Sequence, residues 1–230
     1  MPDRSLIDKK DFHLRGQLGR KGANVIVALQ HAIVNKFETY RYLEIGSFKG
    51  KSLLPHVLSA ACTKCVSIDL RPALAPDVRG IDLQYDHITA EKMVASIAEH
   101  VPEKSLEKLT TFTANSSVIS SELQDQRFDM VFIDGEHTID GVMFDVENVK
   151  PVLAHNSVVI FDDNSLIYPV LEAASYLLRA QGGGEVLYFK GGISAIFLGD
   201  KLKVEDVEVP DHLWSSKKTI AQMHAEVLPT

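Results

Sequence analysis

The sequence predicts a doubly wound, mostly parallel α/β sheet with helices on both faces and a C-terminal antiparallel β-hairpin. Three observations carry that expectation. Five short β-prone runs each stop at Gly, Asp or Asn. The clearest intervening segments place apolar residues at helical spacing, and alternating strands and helices make a parallel sheet. The last two apolar runs are separated only by Lys190-Gly191-Gly192, too short for anything but a hairpin.

In chain order, a polar arm precedes Val25, Ile26, Leu29, Ala32 and Ile33, which share one helical face. The first strand is Tyr40–Ile45, stopped by Gly46 and followed by a glycine-containing loop and a helix bearing Leu53, Leu54, Val57 and Leu58. The second, Cys65–Ile68, ends at Asp69; the third, Thr110–Thr113, ends at Ala114-Asn115. The fourth, Met130–Ile133, ends at Asp134-Gly135, and the fifth, Val158–Phe161, at Asp162-Asp163-Asn164. One helix carries Ile139, Val142, Met143, Val146 and Val149 and is closed by Pro151. Another carries Leu171, Tyr176, Leu177 and Leu178 and is closed by Gly182-Gly183-Gly184. Val186–Phe189 and Ile193–Leu198 form the hairpin. The stretch from Arg71 to Ile88, with Pro72 and Pro76, is the one sizeable irregular connection.

At 230 residues the chain fits one domain with decorations. These are an arm and helix (1–39), a core (40–199) and a polar tail (200–230) anchored by Trp214. A net charge of -7 offers no basic field for nucleic acid or an anionic membrane. No apolar run approaches the roughly 20 residues of a membrane helix. The start lacks the apolar core of a secretory signal, so a cytoplasmic location is expected. Cys62 and Cys65 lack the further ligands a structural zinc needs and read as small core residues. Monomer and homo-oligomer both remain open.

In an open α/β sheet, ligands bind outside the carboxyl ends of the strands. The segment Gly46-Ser47-Phe48-Lys49-Gly50-Lys51-Ser52 resembles a phosphate loop, and Phe128–Asp134 imitates the strand whose Asp holds magnesium. The spacing is one residue short, and Glu44 places a carboxylate near the phosphate position. Nor is it the dinucleotide fingerprint, because position 48 is Phe. A P-loop-like NTPase is therefore the rival reading. A ligand with no phosphate, a ribose diol and a positive charge would make use of Glu44.

The ordered motifs resemble the class I S-adenosylmethionine-dependent methyltransferases, with their Rossmann-like sheet, and among them the metal-dependent catechol- and macrolide-sugar-type O-methyltransferases. The matching residues are Glu44, Gly46, Gly50 and Ser52 in E-x-G-x-x-x-G-x-S; Asp69; Ala114-Asn115-Ser116; Ile133–His137 in I-D-G-x-H; and the acidic pair after strand five. The resemblance spans about Tyr40 to Leu198 and implies methyl transfer to the hydroxyl of a small-molecule acceptor. It implies that Glu44, Gly46, Ser47, Gly50, Ser52, Asp69, Asn115, Ser116 and Asp134 surround S-adenosylmethionine. Asp69 would take the ribose hydroxyls, and Asn115 and Ser116 would border the adenine or, in the plainer alternative, cap the next helix.

Asp134, Asp162 and Asp163 are the candidate metal ligands, an all-oxygen set suited to Mg²⁺, Mn²⁺ or Ca²⁺. A one-residue shift exchanges Asp163 for Asn164, and helix-capping carboxylates are the competing interpretation. His137 stands where the catechol-type enzymes carry a catalytic lysine; general base, metal ligand and neighbour of a helix cap are all open to it. His13, Arg15 and Gln17 of the arm are candidates for a lid, and Trp214 for a pocket or dimer contact. A protein that binds the cofactor without turning over an acceptor is the second rival.

Overall fold

The computed structural model describes residues 5–71, 74–84 and 87–228. Its main sheet contains β1 (Tyr40–Ile45), β2 (Cys62–Ile68), β5 (Leu109–Phe112), β6 (Phe128–Ile133), β7 (Leu153–Phe161), β8 (Leu187–Tyr188) and β9 (Ser194–Leu198). The spatial order is β5-β2-β1-β6-β7-β9-β8. All pairs from β5 to β7 are parallel, while β9 runs antiparallel to both β7 and β8. This is the anticipated mostly parallel sheet with its terminal hairpin.

Strand periodicity sorts the core into two layers. Tyr40 and Tyr42 of β1, Met130 and Phe132 of β6, and Val158 and Ile160 of β7 face α1 (Arg20–Phe37) and α2 (Leu53–Leu58), with Met93 and Ile97 of α3 (Ala90–Ala98). Their neighbours Leu43, Ile45, Val131, Ile133, Val159 and Phe161 face α5 (Val118–Glu122), α6 (Ile139–Val149), α7 (Tyr168–Leu178) and, through Ile220, α8 (Lys217–Val227). Side chains on a strand alternate faces, so a strand covered on both sides reads as the unbroken apolar runs seen in the sequence. Among the described residues no helix is long and apolar enough to cross a membrane. Cys62 and Cys65 are buried free thiols of β2, as their apolar surroundings suggested.

Three expectations need correction. The connection after Arg71 is not wholly irregular: β3 (Leu74–Pro76) and β4 (Asp82–Gln84) pair as a small antiparallel hairpin. The N-terminal arm is docked, not a loose lid. Ile7, Phe12, Leu14 and Leu18 are buried in the first core layer, Gln30 donates to the Ser5 carbonyl at 2.9 Å, and a His31 ring nitrogen lies 2.7 Å from the Ile7 carbonyl oxygen. Trp214 packs on Phe189 with ring centroids 4.6 Å apart and donates to the Val209 carbonyl at 3.3 Å, so it pins the tail and does not reach the site.

The chain leaves β1 toward β2 and β5, then returns to β6 on the other side. The β1–β6 boundary is therefore the switch point of the winding, where a crevice opens. Gly46 ends β1 at φ 84°, and a Cβ there would collide with the Asp134 carbonyl oxygen. A side chain is excluded by contact as well as by conformation.

Gly46→Ala is accordingly expected to cost at least about 3 kcal/mol, combining left-handed strain with displacement of β6. Gly80, at φ 71° with open space around its Cβ position, isolates the strain. Gly80→Ala is expected to cost about 1 to 2 kcal/mol in urea unfolding. Equal losses for the two variants would contradict the close-approach argument.

Candidate functional site

A cavity of about 540 Å³ lies at the carboxyl ends of β1, β2, β6 and β7. Its walls come from the loop after β1, the Asp69–Arg71 corner, Asn115-Ser116, Asp134–His137 and Asp163, with Gln17 from the arm and Asp77 and Arg79 from the β3–β4 hairpin. Most of the residues singled out in the sequence meet here. Glu44, Gly50, Asp162 and Asn164 do not reach the wall.

Asp69 Oδ2 accepts the Phe48 amide at 2.7 Å and lies 3.4 Å from Arg71 Nη2. Its carboxylate thus holds the loop from below while the residue remains on the wall. Ser47 Oγ lies 2.6 Å from Ser67 Oγ, tying the loop to β2. Gly50 faces α3, where an added Cβ would stand 2.9 Å from Ile97 Cδ1 and 3.0 Å from Met93 Cγ. Its requirement is helix packing, not passage beneath a ligand. Lys51 donates to the Leu18 carbonyl at 2.7 Å, so the lysine of the phosphate-loop reading is bound to the N-terminal arm.

Glu44 is completely buried behind this loop, and its two oxygens accept from Ser52 Oγ at 2.6 Å and Tyr42 Oη at 2.7 Å. Direct ligand contact, expected from the motif, is corrected to a role in fixing Ser52, which does line the cavity. Burial pushes the Glu44 carboxyl up to about 7, against those two hydrogen bonds and the Arg71 charge.

At the third strand end, Asn115 Oδ1 accepts from the Ser117 amide at 3.1 Å and from its hydroxyl at 2.6 Å, a local turn cap. Ser116 Oγ donates to Asp145 Oδ1 at 2.6 Å. Asp145 went unnoticed in the sequence. It sits with Val142, Val146 and Val149 on the buried face of α6, and a carboxylate on an apolar stripe was the available signal. Burial pushes it up to about 6. The half-exposed Phe144 beside it and Leu70 beside Asp69 add apolar surface to the cavity wall.

His137 stands between two carboxylates, with Nε2 3.4 Å from Asp134 Oδ1 and Nδ1 3.5 Å from Asp163 Oδ2. Nε2 is buried and makes no hydrogen bond. The hairpin holds this segment in place, since the Val78 amide donates to the His137 carbonyl at 3.1 Å. Asp77 in turn accepts Arg79 Nε at 3.0 Å. Burial, with neighbouring Glu44 and Asp163, raises the Asp134 carboxyl well above the usual range; burial, Asp134 and Asp163 do the same for Asp162.

The metal expectation is not met by these side chains. Among the described residues no group of three or more His, Cys, Asp or Glu is placed to hold a metal ion. The imidazole occupies the space between Asp134 and Asp163, and Asp162 Oδ1 faces the Gly192 backbone, 3.1 Å from where a Cβ would stand. The Asn164 side-chain amide donates to the Phe189 and Ile193 carbonyls and to Ser194 Oγ, anchoring the terminal hairpin.

With this geometry in place, residues 43–164, just over half the chain, match the methyltransferase domain family, and the chain belongs to that family. Comparison with curated proteins gives no significant match. Among solved structures, cofactor-bound Rv0187 from MTB is similar with a TM-score of 0.55 and 14% identity, over 83% of this chain and 85% of that one. A Staphylococcus aureus protein provisionally designated a caffeoyl-CoA O-methyltransferase gives 0.52 and 16%, over 81% and 85%. The methyltransferase domain of bacterial CtHen1-C gives 0.52 and 9%, over 77% and 98%. At these identities the likeness is one of fold.

The buried carboxyls make a pH prediction. Glu44 has a higher pKa folded than unfolded, so the folded state binds more protons between about pH 4.5 and 7 and loses stability as pH rises through that window. The contribution is on the order of 3 kcal/mol. Glu44→Gln, which cannot ionise, is expected to flatten the stability profile between pH 5 and 8 in urea titrations. An unchanged slope would show that Glu44 is already ionised in the folded protein.

Proposed function

We propose that the protein transfers a methyl group from S-adenosylmethionine to a hydroxyl of a small-molecule acceptor, with His137 as the general base. The observation that carries this reading is His137, whose Nε2 makes no hydrogen bond and lies 3.4 Å from Asp134 Oδ1, on the wall of a cavity that also presents Asp69 beside a glycine turn. The cavity's volume suits a small-molecule ligand.

Bound S-adenosylmethionine supplies a methyl carbon made electrophilic by its sulfonium sulfur. Asp69 offers acceptor oxygen to a ribose diol, and Leu70 and Phe144 offer apolar surface to an adenine ring. His137 Nε2 takes the acceptor's hydroxyl proton as the oxygen displaces the sulfur at the methyl carbon. Asp163, beside Nδ1, and Asp134, beside Nε2, stabilise the imidazolium that forms. Holding oxygen, carbon and sulfur in line supplies much of the rate. No step is routed through a divalent cation, because the three aspartates are not arranged as a ligand set.

The NTPase alternative is disfavoured by Lys51, whose ammonium is held by the Leu18 carbonyl, and by Glu44 beneath the loop. Isothermal titration with S-adenosylhomocysteine and, in parallel, ATP separates the readings. Micromolar binding of the former, lost in Asp69→Ala and absent for ATP, is expected; binding of ATP alone would overturn the assignment.

Once an acceptor is found, His137→Ala is expected to lower turnover by about 10²- to 10⁴-fold with product affinity retained. EDTA is expected to leave the rate unchanged. Loss of activity with EDTA, restored by Mg²⁺, would return the metal to the mechanism. Unchanged turnover in His137→Ala would remove the imidazole from it.

A further inference from the structure

Arg71 is the least explained charge near the cavity. Only 5% of the residue is exposed, and burying a guanidinium is costly unless it is paired. Its side chain nevertheless leaves Nη1 buried without a hydrogen bond. The pairing it does make is unusual in where it leads. Nη2 lies 3.4 Å from Asp69 Oδ2 and 3.3 Å from Ser67 Oγ, and Nε donates to the Phe48 carbonyl at 3.4 Å.

Phe48 is the residue that makes this arrangement informative. It adopts φ 46°, a left-handed conformation costly for a residue with a Cβ. Its amide donates to Asp69 Oδ2 and its carbonyl accepts from Arg71, so both backbone polar groups of the strained residue are held by the same acid–base pair. The ring closes through the Asp69–Arg71 ion pair and the Arg71 amide, which donates to the Asp69 carbonyl at 2.9 Å. One oxygen of Asp69 is committed to this ring; Oδ1 is the one left for a ligand.

We propose that Arg71 is a positioning residue for cofactor selection: through Asp69 and the Phe48 carbonyl it locks the loop after β1 and turns Asp69 Oδ1 toward the ribose, making affinity depend on the ribose hydroxyls. The proposal rests on the S-adenosylmethionine reading and adds to it a cause for discrimination between ribosyl and deoxyribosyl ligands. Although Arg71 borders the cavity, the polar contacts of its side chain run to Asp69, Ser67 and the Phe48 carbonyl, and it is through these that it acts. A guanidinium is suited to this task, since its fork reaches a carboxylate and a carbonyl at once while a lysine ammonium is a single point charge.

The test compares S-adenosylhomocysteine with its 2′-deoxy analogue by titration calorimetry on the full chain, in wild type, Arg71→Met and Arg71→Lys, with thermal unfolding of each. Wild type is expected to bind the ribosyl ligand about tenfold to a hundredfold more tightly than the deoxy analogue, the range of a hydrogen bond to a charged group. In Arg71→Met that ratio is expected to fall to within about threefold of unity, and Arg71→Lys to recover part of it. A merely structural arginine would weaken both ligands alike. An unchanged ratio in Arg71→Met therefore overturns the positioning role even if the melting temperature falls. Failure of wild type to bind S-adenosylhomocysteine at all overturns the cofactor reading itself, and the positioning role with it.

Discussion

The close passage of Gly46 across the Asp134 carbonyl is the constraint on which the rest of the site depends. The Asp134 amide donates to the Ile45 carbonyl at 2.8 Å, so the ladder between β1 and β6 continues to the last residue of each strand. The two chains then diverge, one into the glycine turn and the other toward His137. Because β1 and β6 flank the point where the winding reverses, their separation opens the crevice. Only a residue without a Cβ allows the two backbones this near, and only then do Asp69 and His137 face one cavity.

Charge is distributed along that crevice in a graded way. Deep beneath the turn, Glu44 is enclosed by Ser52 and Tyr42; at the rim, Asp163 is half exposed. The buried acids are raised by desolvation, a destabilising arrangement near neutral pH that a domain of this size offsets through its two apolar layers. Of the acids so raised, Asp134 and Asp145 line the cavity, and perturbed groups in a cleft are the usual mark of a functional site. Of the cations on the wall, Arg71 pairs with Asp69, Arg79 with Asp77 and Lys51 with a carbonyl, while Lys49 lies over the Phe48 ring.

The parallel strands were legible because burial on both faces leaves an uninterrupted apolar run that must end in a turn; β1 spans the residues expected of it. Others extend further. The second strand begins at Cys62 and β7 at Leu153, since residues such as Lys64 and His155 sit where strand edges meet solvent and break the apolar pattern. The β3–β4 hairpin was hidden by Pro76 and by its three-residue strands. At the site, residue types at strand ends could be read, but not the direction each side chain takes. Asp163 reaches the cavity by adopting φ 51°, while Asp162 and Asn164 on either side turn into the structure. No spacing rule distinguishes these three, and the adjacency of two strand ends, with the family resemblance, points to a metal-binding trio without fixing where each side chain turns. Glu44 is a similar case: a strand places its last side chains alternately, and Glu44 falls on the face closed by α2 and Tyr42.

The most direct test of the account is a crystal structure of the protein with S-adenosylhomocysteine. The account predicts the ribose hydroxyls on Asp69 Oδ1, the homocysteine chain over Gly46 and Ser47, the base against Leu70 and Ser116, and the sulfur directed toward the His137 side of the cavity. A ligand bound in the reverse sense, with its base beside His137, or outside this cavity altogether, would contradict it.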